Sequence, residues 1–233
     1  MAERRETIRH GHEHGHEHSH GHGRGRGKHG NPVDLDSYLV RLEGEDRIAW
    51  QKPDEVVRAL RLRPGDSACD LGVGPGYFAL RLARAVGPRG RVYAIDVEPR
   101  MIAVLRERLH ASGLRNVRPI LARGGKPALP PRRCAVILIV NTFHHFPDGP
   151  AALRALARRL APGGRIVNVD FHKREMPVGP PIEHKVSRED FIGAARQAGL
   201  EVAAERSFLP YQYFLALRPA PAAPARRAAA PRR

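Results

Sequence analysis

Short apolar runs alternate in the middle of this chain with segments whose apolar residues recur at helical spacing. The apolar runs predict strands at Ser67–Leu71, Arg91–Asp96, Val117–Leu121, Ala135–Val140 and Arg165–Phe171. The helical spacing predicts helices at Tyr77–Val86, Arg100–Ser112, Ala151–Ala161 and Ser187–Ala198. The run AVILIV is apolar at every position, which is typical of a parallel strand that helices cover on both faces. The last two apolar segments, Leu200–Arg206 and Tyr211–Leu217, predict a hairpin that returns antiparallel along the edge of the sheet.

The flanks of this pattern divide the chain. Residues 33–218 are expected to form one domain, and its first part, residues 33–64, is expected to be a helical cap that Pro53 divides into two helices. Residues 1–32 are rich in histidine and glycine, and residues 219–233 consist only of alanine, proline and arginine. Because neither end can fill a core, both are expected to be disordered tails.

The first predicted strand ends in a glycine-rich turn, SACDLGVGPGYF, with glycine at positions 72, 74 and 76. Glycine opens turn dihedrals that other residues avoid, and its missing side chain lets a ligand approach the backbone. Amide groups at the start of the following helix favour polar or anionic ligand groups, and Asp70 at the strand end can pair with a cation. The turn therefore predicts a ligand that carries both a polar or anionic group and a cationic group.

Two phosphate-binding motifs do not fit this turn. A dinucleotide fingerprint requires glycine or alanine three places after its second glycine, where this chain has Tyr77. A Walker loop requires Gly-Lys-Ser/Thr, and no lysine lies between Lys52 and Lys126. A glycine-rich turn without a ligand remains the alternative interpretation.

The second predicted strand also ends in an acidic residue. Asp96 lies 24 residues after Gly72, close to the spacing at which a carboxylate reaches ribose hydroxyls in a doubly wound fold. Val97 and Met101 would then flank the adenine or the ribose. A turn aspartate at a strand end is the alternative for Asp96.

Four segments, DLGVGPGYF, YAIDVEPRMIAVL, NTFHHFPD and LAPGGRIVNVDF, together resemble the class I S-adenosylmethionine-dependent methyltransferases. Within this class the chain looks most like the small-molecule enzymes of the ubiquinone and arsenite type. The resemblance implies a doubly wound, Rossmann-like fold of class α/β: a seven-stranded, mostly parallel sheet with an antiparallel edge strand and helices on both faces. It implies S-adenosyl-L-methionine as the cofactor. The cofactor-binding residues that we predict are Asp70, Gly72, Gly74, Gly76, Tyr77, Asp96, Val97, Met101 and Asn141. Where members of this class usually carry an acidic residue after the third strand, this chain has Arg123-Gly124-Gly125-Lys126.

The loop after the fourth strand contains two adjacent histidines. In the class this loop lies beside the transferred methyl group, so His144 and His145 are the candidate catalytic residues, as general base or substrate clamp. A purely structural role is the alternative for each. Asp170 and His172 form a second polar cluster near the same crevice, but no ligand spacing here is diagnostic, and no metal site is predicted.

The methyl acceptor is expected to be a small molecule with a hydroxyl, a thiol or an acidic carbon. Arsenite enzymes need several cysteines, and the two here, Cys69 and Cys134, fall in strand contexts. Two other functions stay open: a non-catalytic cofactor- or metal-binding protein on the same fold, and an RNA methyltransferase.

The formal net charge of +16 invites the nucleic-acid interpretation, which we do not favour because the arginines are scattered along the chain. The eight histidines of residues 10–30 could bind divalent metal ions opportunistically. No apolar run reaches membrane-spanning length and no signal peptide is evident. With two thiols expected to be free, these features predict a cytoplasmic protein without a membrane partner.

Overall fold

The computed structural model describes residues 34–42, 44, 46–123, 129 and 133–221. The predicted tail 1–32, most of the tail 219–233 and residues 124–126 of the segment after the third strand lie outside the described residues.

The described residues form seven strands and seven α-helices. The strands are β1 (Ser67–Leu71), β2 (Arg91–Asp96), β3 (Val117–Leu121), β4 (Cys134–Val140), β5 (Leu160–Phe171), β6 (Leu200–Arg206) and β7 (Gln212–Pro219). The helices are α1 (Leu35–Leu42), α2 (Asp46–Gln51), α3 (Pro53–Ala59), α4 (Ala79–Val86), α5 (Pro99–Ser112), α6 (Gly149–Ala157) and α7 (Arg188–Gln197). Short 3₁₀ helices form at Phe143–His145 and Ile182–His184.

The strands form one sheet in the order β3-β2-β1-β4-β5-β7-β6. Strands β1 to β5 are parallel to one another, and β7 pairs antiparallel with both β5 and β6. The strand order reverses between β1 and β4, which is the point where doubly wound sheets bind ligands. The predicted fold class is confirmed.

The apolar run of β4 supplies both faces of the sheet. Val136 and Leu138 belong to a core beneath α3, α4 and α5, whereas Ile137 and Ile139 belong to a second core beneath α6 and α7. All four side chains are fully buried. Successive side chains of a strand point to opposite faces, so a strand covered on both sides is apolar at every position.

The two largest differences from the sequence prediction lie between α6 and β5 and in the helical cap, whereas several other element ends differ by one or two residues. Helix α6 ends at Ala157 and β5 begins at Leu160, because the Arg159 carbonyl accepts hydrogen bonds from the amides of Arg133 and Cys134, and Leu160 pairs with Cys134. The cap has three helices instead of two, with a break near Gly44, where a Cβ atom would lie 2.5 Å from Asp46 Oδ1. As predicted, Pro53 starts a helix.

Candidate cofactor and active site

The glycine turn lies at the switch point, directly after β1. Gly72, Gly74 and Gly76 have φ values of 75°, 53° and 95°, in the left-handed region that favours glycine. The amides of Gly72 and Val73 both donate to the carbonyl of Ile95, each at 2.9 Å. The turn is therefore fastened to the end of β2, which brings both strand-end aspartates beside it.

The three glycines have different neighbours. A Cβ atom at Gly72 would lie 2.8 Å from Thr142 Cβ, and one at Gly76 would lie 2.5 Å from Leu105 Cδ1. At Gly74 the nearest atom is Leu42 Cδ1, at 3.8 Å. Protein atoms thus occupy the space beside Gly72 and Gly76, and only Gly74 leaves room for a ligand to approach the backbone.

Asp70 is a buried carboxylate at the end of β1. Its side chain is 3% exposed, and Oδ2 has no hydrogen-bond partner among the described residues. Burial, and secondly the charge of Asp96, raises the pKa of Asp70 to about 7, and the Arg47 guanidinium opposes this rise. A cationic ligand group at Oδ2 would offset the cost of ionising this carboxyl.

Asp96 ends β2 and organises the turn. Its Oδ2 accepts from the Gly74 amide at 2.8 Å, and its Oδ1 accepts from the Glu98 amide at 2.9 Å. Burial raises the pKa of Asp96, while these amide hydrogen bonds act to lower it. A carboxylate offers about four acceptor positions, so both oxygens can still accept from ligand hydroxyls.

Sequence reasoning missed Arg47, a buried arginine of α2. Its guanidinium carbon lies 3.9 Å from the centre of the Tyr77 ring, and that of Arg81 lies 4.5 Å from the same centre. Burial lowers the pKa of Arg47 to about 10, and the nearby Asp70 carboxyl acts in the opposite direction. Tyr77, a predicted cofactor contact, is thus held by two cations, and its hydroxyl is buried without a hydrogen-bond partner in the described chain.

Arg47 begins a chain of polar side chains that runs to the loop after β4. Its Nε donates to Gln51 Oε1, Gln51 Nε2 donates to Gln212 Oε1 at 3.3 Å, and Gln212 Nε2 donates to Asn141 Oδ1 at 2.6 Å. Because a guanidinium only donates, Gln51 must present its oxygen to Arg47, and this fixes the direction of every later bond. We call Arg47, Gln51, Gln212 and Asn141 the amide relay. The four-residue spacing of Arg47 and Gln51 on a helix was the only sequence signal for it.

Asn141 is the predicted cofactor contact at the end of this relay. It has a φ of 51°, which is uncommon for a residue other than glycine, and its side-chain oxygen is already bonded to Gln212. The relay therefore fixes how Asn141 is presented beside the turn. Of the other predicted cofactor contacts, Met101 is buried in α5 and Val97 is 37% exposed.

The two candidate catalytic histidines form the 3₁₀ helix after β4. Their ring centres are 4.1 Å apart, and His144 Nδ1 lies 3.8 Å from Asp170 Oδ2. His172 packs instead against the Tyr213 ring, with ring centres 5.9 Å apart, and burial lowers its pKa. Asp170, which the sequence analysis grouped with His172, therefore lies beside His144. Among the described residues, no three His, Cys, Asp or Glu side chains are arranged to hold a metal ion.

A family model described as a methyltransferase domain matches residues 68–164. The chain is 33% identical over 135 residues to the protein-L-isoaspartate O-methyltransferase of Aeropyrum pernix, a match that covers 55% of this chain and 46% of that protein. It is 34% identical over 121 residues to the ubiquinone/menaquinone biosynthesis C-methyltransferase of Vibrio vulnificus, covering 52% of this chain and 45% of that protein. The chain spans about half the length of these two relatives.

The fold agrees with these matches. The crystal structure of a SAM dependent methyltransferase from Aquifex aeolicus superposes with a TM-score of 0.74 at 28% identity, and the match covers 78% of this chain and 96% of that one. In the part of the chain that the structure describes, no helix is long and apolar enough to cross a membrane. Together with the sheet order and the glycine turn, the methyltransferase-domain match over residues 68–164 and these relatives support a class I S-adenosylmethionine-dependent methyltransferase.

Proposed function

We propose that this protein transfers the methyl group of S-adenosyl-L-methionine to a small molecule. The observation that carries the proposal is the pair of buried carboxylates at neighbouring strand ends, Asp70 and Asp96, with the open backbone of Gly74 beside them. The unpartnered Oδ2 of Asp70 suits a cationic ligand group, and Asp96 suits ribose hydroxyls. These residues fit the cofactor of the family.

The other proposed cofactor contacts are assigned by the chemical type of each side chain. The buried guanidinium of Arg47 suits the carboxylate of the cofactor's amino-acid part, because Nη2 can donate a charge-assisted hydrogen bond while Nε donates to Gln51 and Nη1 to the Leu42 carbonyl. Val97 and Met101 are proposed to contact the adenine or the ribose. Tyr77, at the turn, and Asn141, at the end of the amide relay, are also proposed to contact the cofactor.

When bound, S-adenosylmethionine supplies an activated methyl group: a lone pair of the acceptor forms the bond to the methyl carbon, and the carbon–sulfur pair returns to sulfur. The protein's own contribution is to hold the acceptor in line and to exclude water. His144 and His145 lie on the loop beside β4 and are the proposed groups that clamp or deprotonate the acceptor.

The segment 172–185 is proposed to cover the acceptor. Lys185 is 4% exposed and its Nζ donates to the Arg174 carbonyl at 2.7 Å, which closes the segment on itself. Gly179 packs so closely on Phe171 that a Cβ atom would lie 2.8 Å from the ring, and Trp50 lies 5.5 Å from the same ring between centres. This aromatic wall favours a small organic acceptor with a hydroxyl, a thiol or an acidic carbon.

Cys69 and Cys134 are buried free thiols, which fits the proposed cytoplasmic location. Metal binding by the histidines of residues 10–30 also remains a proposal, outside the described residues.

Calorimetry with S-adenosylmethionine and S-adenosylhomocysteine tests the proposal. We expect the wild-type protein to bind both compounds with micromolar affinity, and we expect the double variant Asp70→Ala/Asp96→Ala to lose this binding. The control variant Glu107→Gln, which removes an exposed carboxylate of α5, should retain it. No binding by the wild-type protein, or unchanged binding in the double variant, would overturn it. Tight zinc binding without nucleoside binding would indicate the non-catalytic alternative, and steeply salt-dependent RNA binding would indicate an RNA methyltransferase.

A further inference from the structure

Two buried polar atoms that have no hydrogen-bond partner among the described residues face each other at the carboxyl ends of β4 and β5. Asp170 is 1% exposed at the end of β5; its Oδ1 accepts from the Phe171 amide at 2.9 Å, and its Oδ2 accepts no hydrogen bond within the described chain. Opposite it, at 3.8 Å, lies His144 Nδ1, which is also buried and unpaired among the described residues. The His144 side chain is 12% exposed, so its accessible surface belongs to atoms other than Nδ1.

The sheet holds both residues in place. Val140 of β4 is in register with Val169 of β5, and the Asn141 amide donates to the Val169 carbonyl at 2.9 Å. The loop that carries His144 follows β4 and Asp170 lies at the end of β5. Because these two strands are adjacent and parallel, both residues lie at the same edge of the sheet. The register of the sheet therefore fixes the backbone positions from which the two side chains approach each other.

One proton can satisfy both atoms. An unpaired buried polar group is destabilising, and a proton on Nδ1 directed at Oδ2 would satisfy both atoms. At 3.8 Å the pair is longer than a hydrogen bond. Catalytic hydrogen bonds are often long before substrate binds and shorten in the complex.

We propose that Asp170 is a positioning residue that holds the Nδ1–H tautomer of His144 and so leaves Nε2 free to accept a proton. This inference rests on the proposed function and deepens it, since it makes His144, and not His145, the general base. A buried carboxylate that fixes an imidazole tautomer is a known way to prepare a histidine for proton removal.

The proton balance defines the acceptor class. A proton leaves the acceptor's O–H or S–H for His144 Nε2, and the lone pair left on oxygen or sulfur is the pair that forms the new bond to the methyl carbon. Asp170 keeps accepting from Nδ1 and takes no proton. The same balance holds for an acidic C–H, so the acceptor carries a removable O–H, S–H or C–H proton, which covers the three expected classes.

The tautomer is measurable without knowing the acceptor. In full-length protein carrying ¹⁵N-labelled histidine, two-bond ¹H–¹⁵N correlation spectra at a pH where the ring is neutral should show His144 with its proton on Nδ1. The variant His144→Gln assigns the signal among the 13 histidines of the chain. His144 found in the Nε2–H form in the wild-type protein would overturn the inference.

The variant Asp170→Asn gives a second and opposite outcome. The carbonyl of the introduced amide can still accept from the Phe171 amide, so its NH₂ would face Nδ1 and donate to it, forcing the proton onto Nε2. An unchanged tautomer in this variant contradicts the proposal, whereas His110→Gln, on the exposed side of α5, should leave the His144 tautomer unchanged. Calorimetry with S-adenosylhomocysteine on the same samples separates the two ideas: the tautomer result needs no cofactor, and absence of binding in wild-type protein would refute only the proposed function.

Discussion

At the scale of single residues, Asp70 and the three glycines show how similar sequence signals serve different purposes. Asp70 is buried with an oxygen that has no partner in the described chain, whereas Asp96, one strand away, has backbone amides at both oxygens. Among the three glycines of the turn, only Gly74 faces open space. Substitutions at Gly72 and Gly76 should therefore lower mainly the stability of the fold, whereas a substitution at Gly74 should weaken mainly ligand binding.

The first prediction concerns Asp70→Asn and pH. The folded-state pKa of Asp70 is raised to about 7, above its ordinary value of 3.8. Between these values the unfolded chain releases a proton that the folded chain retains, so rising pH lowers the free energy of unfolding across this range. At pH 8 we expect Asp70→Asn to be more stable than wild type by on the order of 4 kcal/mol, with little difference near pH 4.

Urea unfolding at both pH values measures this difference, with Glu107→Gln as the charge-matched control. The same variant should lose S-adenosylhomocysteine binding, because an amide cannot neutralise a cationic ligand group. A stability difference between Asp70→Asn and wild type that does not change with pH would contradict the assignment.

The second prediction separates Gly74 from Gly72. Both have positive φ, so alanine at either costs about 1–2 kcal/mol from backbone strain alone. At Gly72 the added Cβ would also meet the stiff, branched Thr142, which should cost about 1–3 kcal/mol more. We expect Gly74→Ala to remain folded and to bind S-adenosylhomocysteine at least about tenfold more weakly, a loss of about 1.4 kcal/mol. Denaturation and calorimetry on both variants test this, and tight binding by Gly74→Ala would show that the open space is not used.

At the scale of elements, the amide relay joins three segments that are distant in sequence: α2, the loop after β4, and β7. Gln51 and Gln212 are fully or almost fully buried, at 0% and 1% exposure. Buried amides require partners, so each one depends on its neighbours. The helical cap is thereby fixed to the sheet by polar side chains, which also set the direction of Asn141.

The third prediction tests this coupling. Gln212→Leu leaves both Gln51 Nε2 and Asn141 Oδ1 unpaired, and we expect it to lower the free energy of unfolding by about 2–4 kcal/mol. The double variant Gln51→Leu/Gln212→Leu should lose less than the sum of the single variants, because the second change removes a group that the first left unpaired. Urea unfolding of the four proteins in the cycle gives the coupling, with Gln197→Leu on the exposed side of α7 as control. Additive losses would mean that the amides act independently.

At the scale of the whole molecule, the net charge is divided between the two ends of the sequence and its middle. Of the net charge of +16, residues 1–30 contribute +2 and residues 215–233 contribute +5, which leaves +9 for the middle of the chain. The site itself is built from carboxylates, amides and histidines between α1 and β7. The first tail should therefore be dispensable for cofactor binding, whereas α1 should not be, since its Leu42 lies beside Gly74.

The fourth prediction compares two truncations. Removing residues 1–32 should leave the melting temperature and the S-adenosylhomocysteine affinity unchanged and should abolish most Ni²⁺ binding, because it removes the histidine-rich tail. Removing residues 1–44 also deletes α1 and should weaken S-adenosylhomocysteine binding. Calorimetry on both proteins gives the answer, and a large loss of affinity in the shorter truncation would show that the tail belongs to the site.

The sequence by itself determined the strands, the turn and the two acidic strand ends, because these depend on local pattern. The predicted bounds of β1, β2, β3 and β6 coincide with the structure, since apolar runs bordered by turn residues define short buried strands. The placement of Asp70 and Asp96 at neighbouring strand ends followed from the same pattern.

Only the tertiary structure decided which side chains meet across the sheet. Arg47 reaches Tyr77, Gln212 reaches Asn141, and Asp170 faces His144. It also showed that protein atoms fill the space beside two of the three glycines. The physical reason is that local pattern fixes burial and backbone shape, whereas the partner of a buried polar group is set by strand order and register, which join residues far apart in the chain.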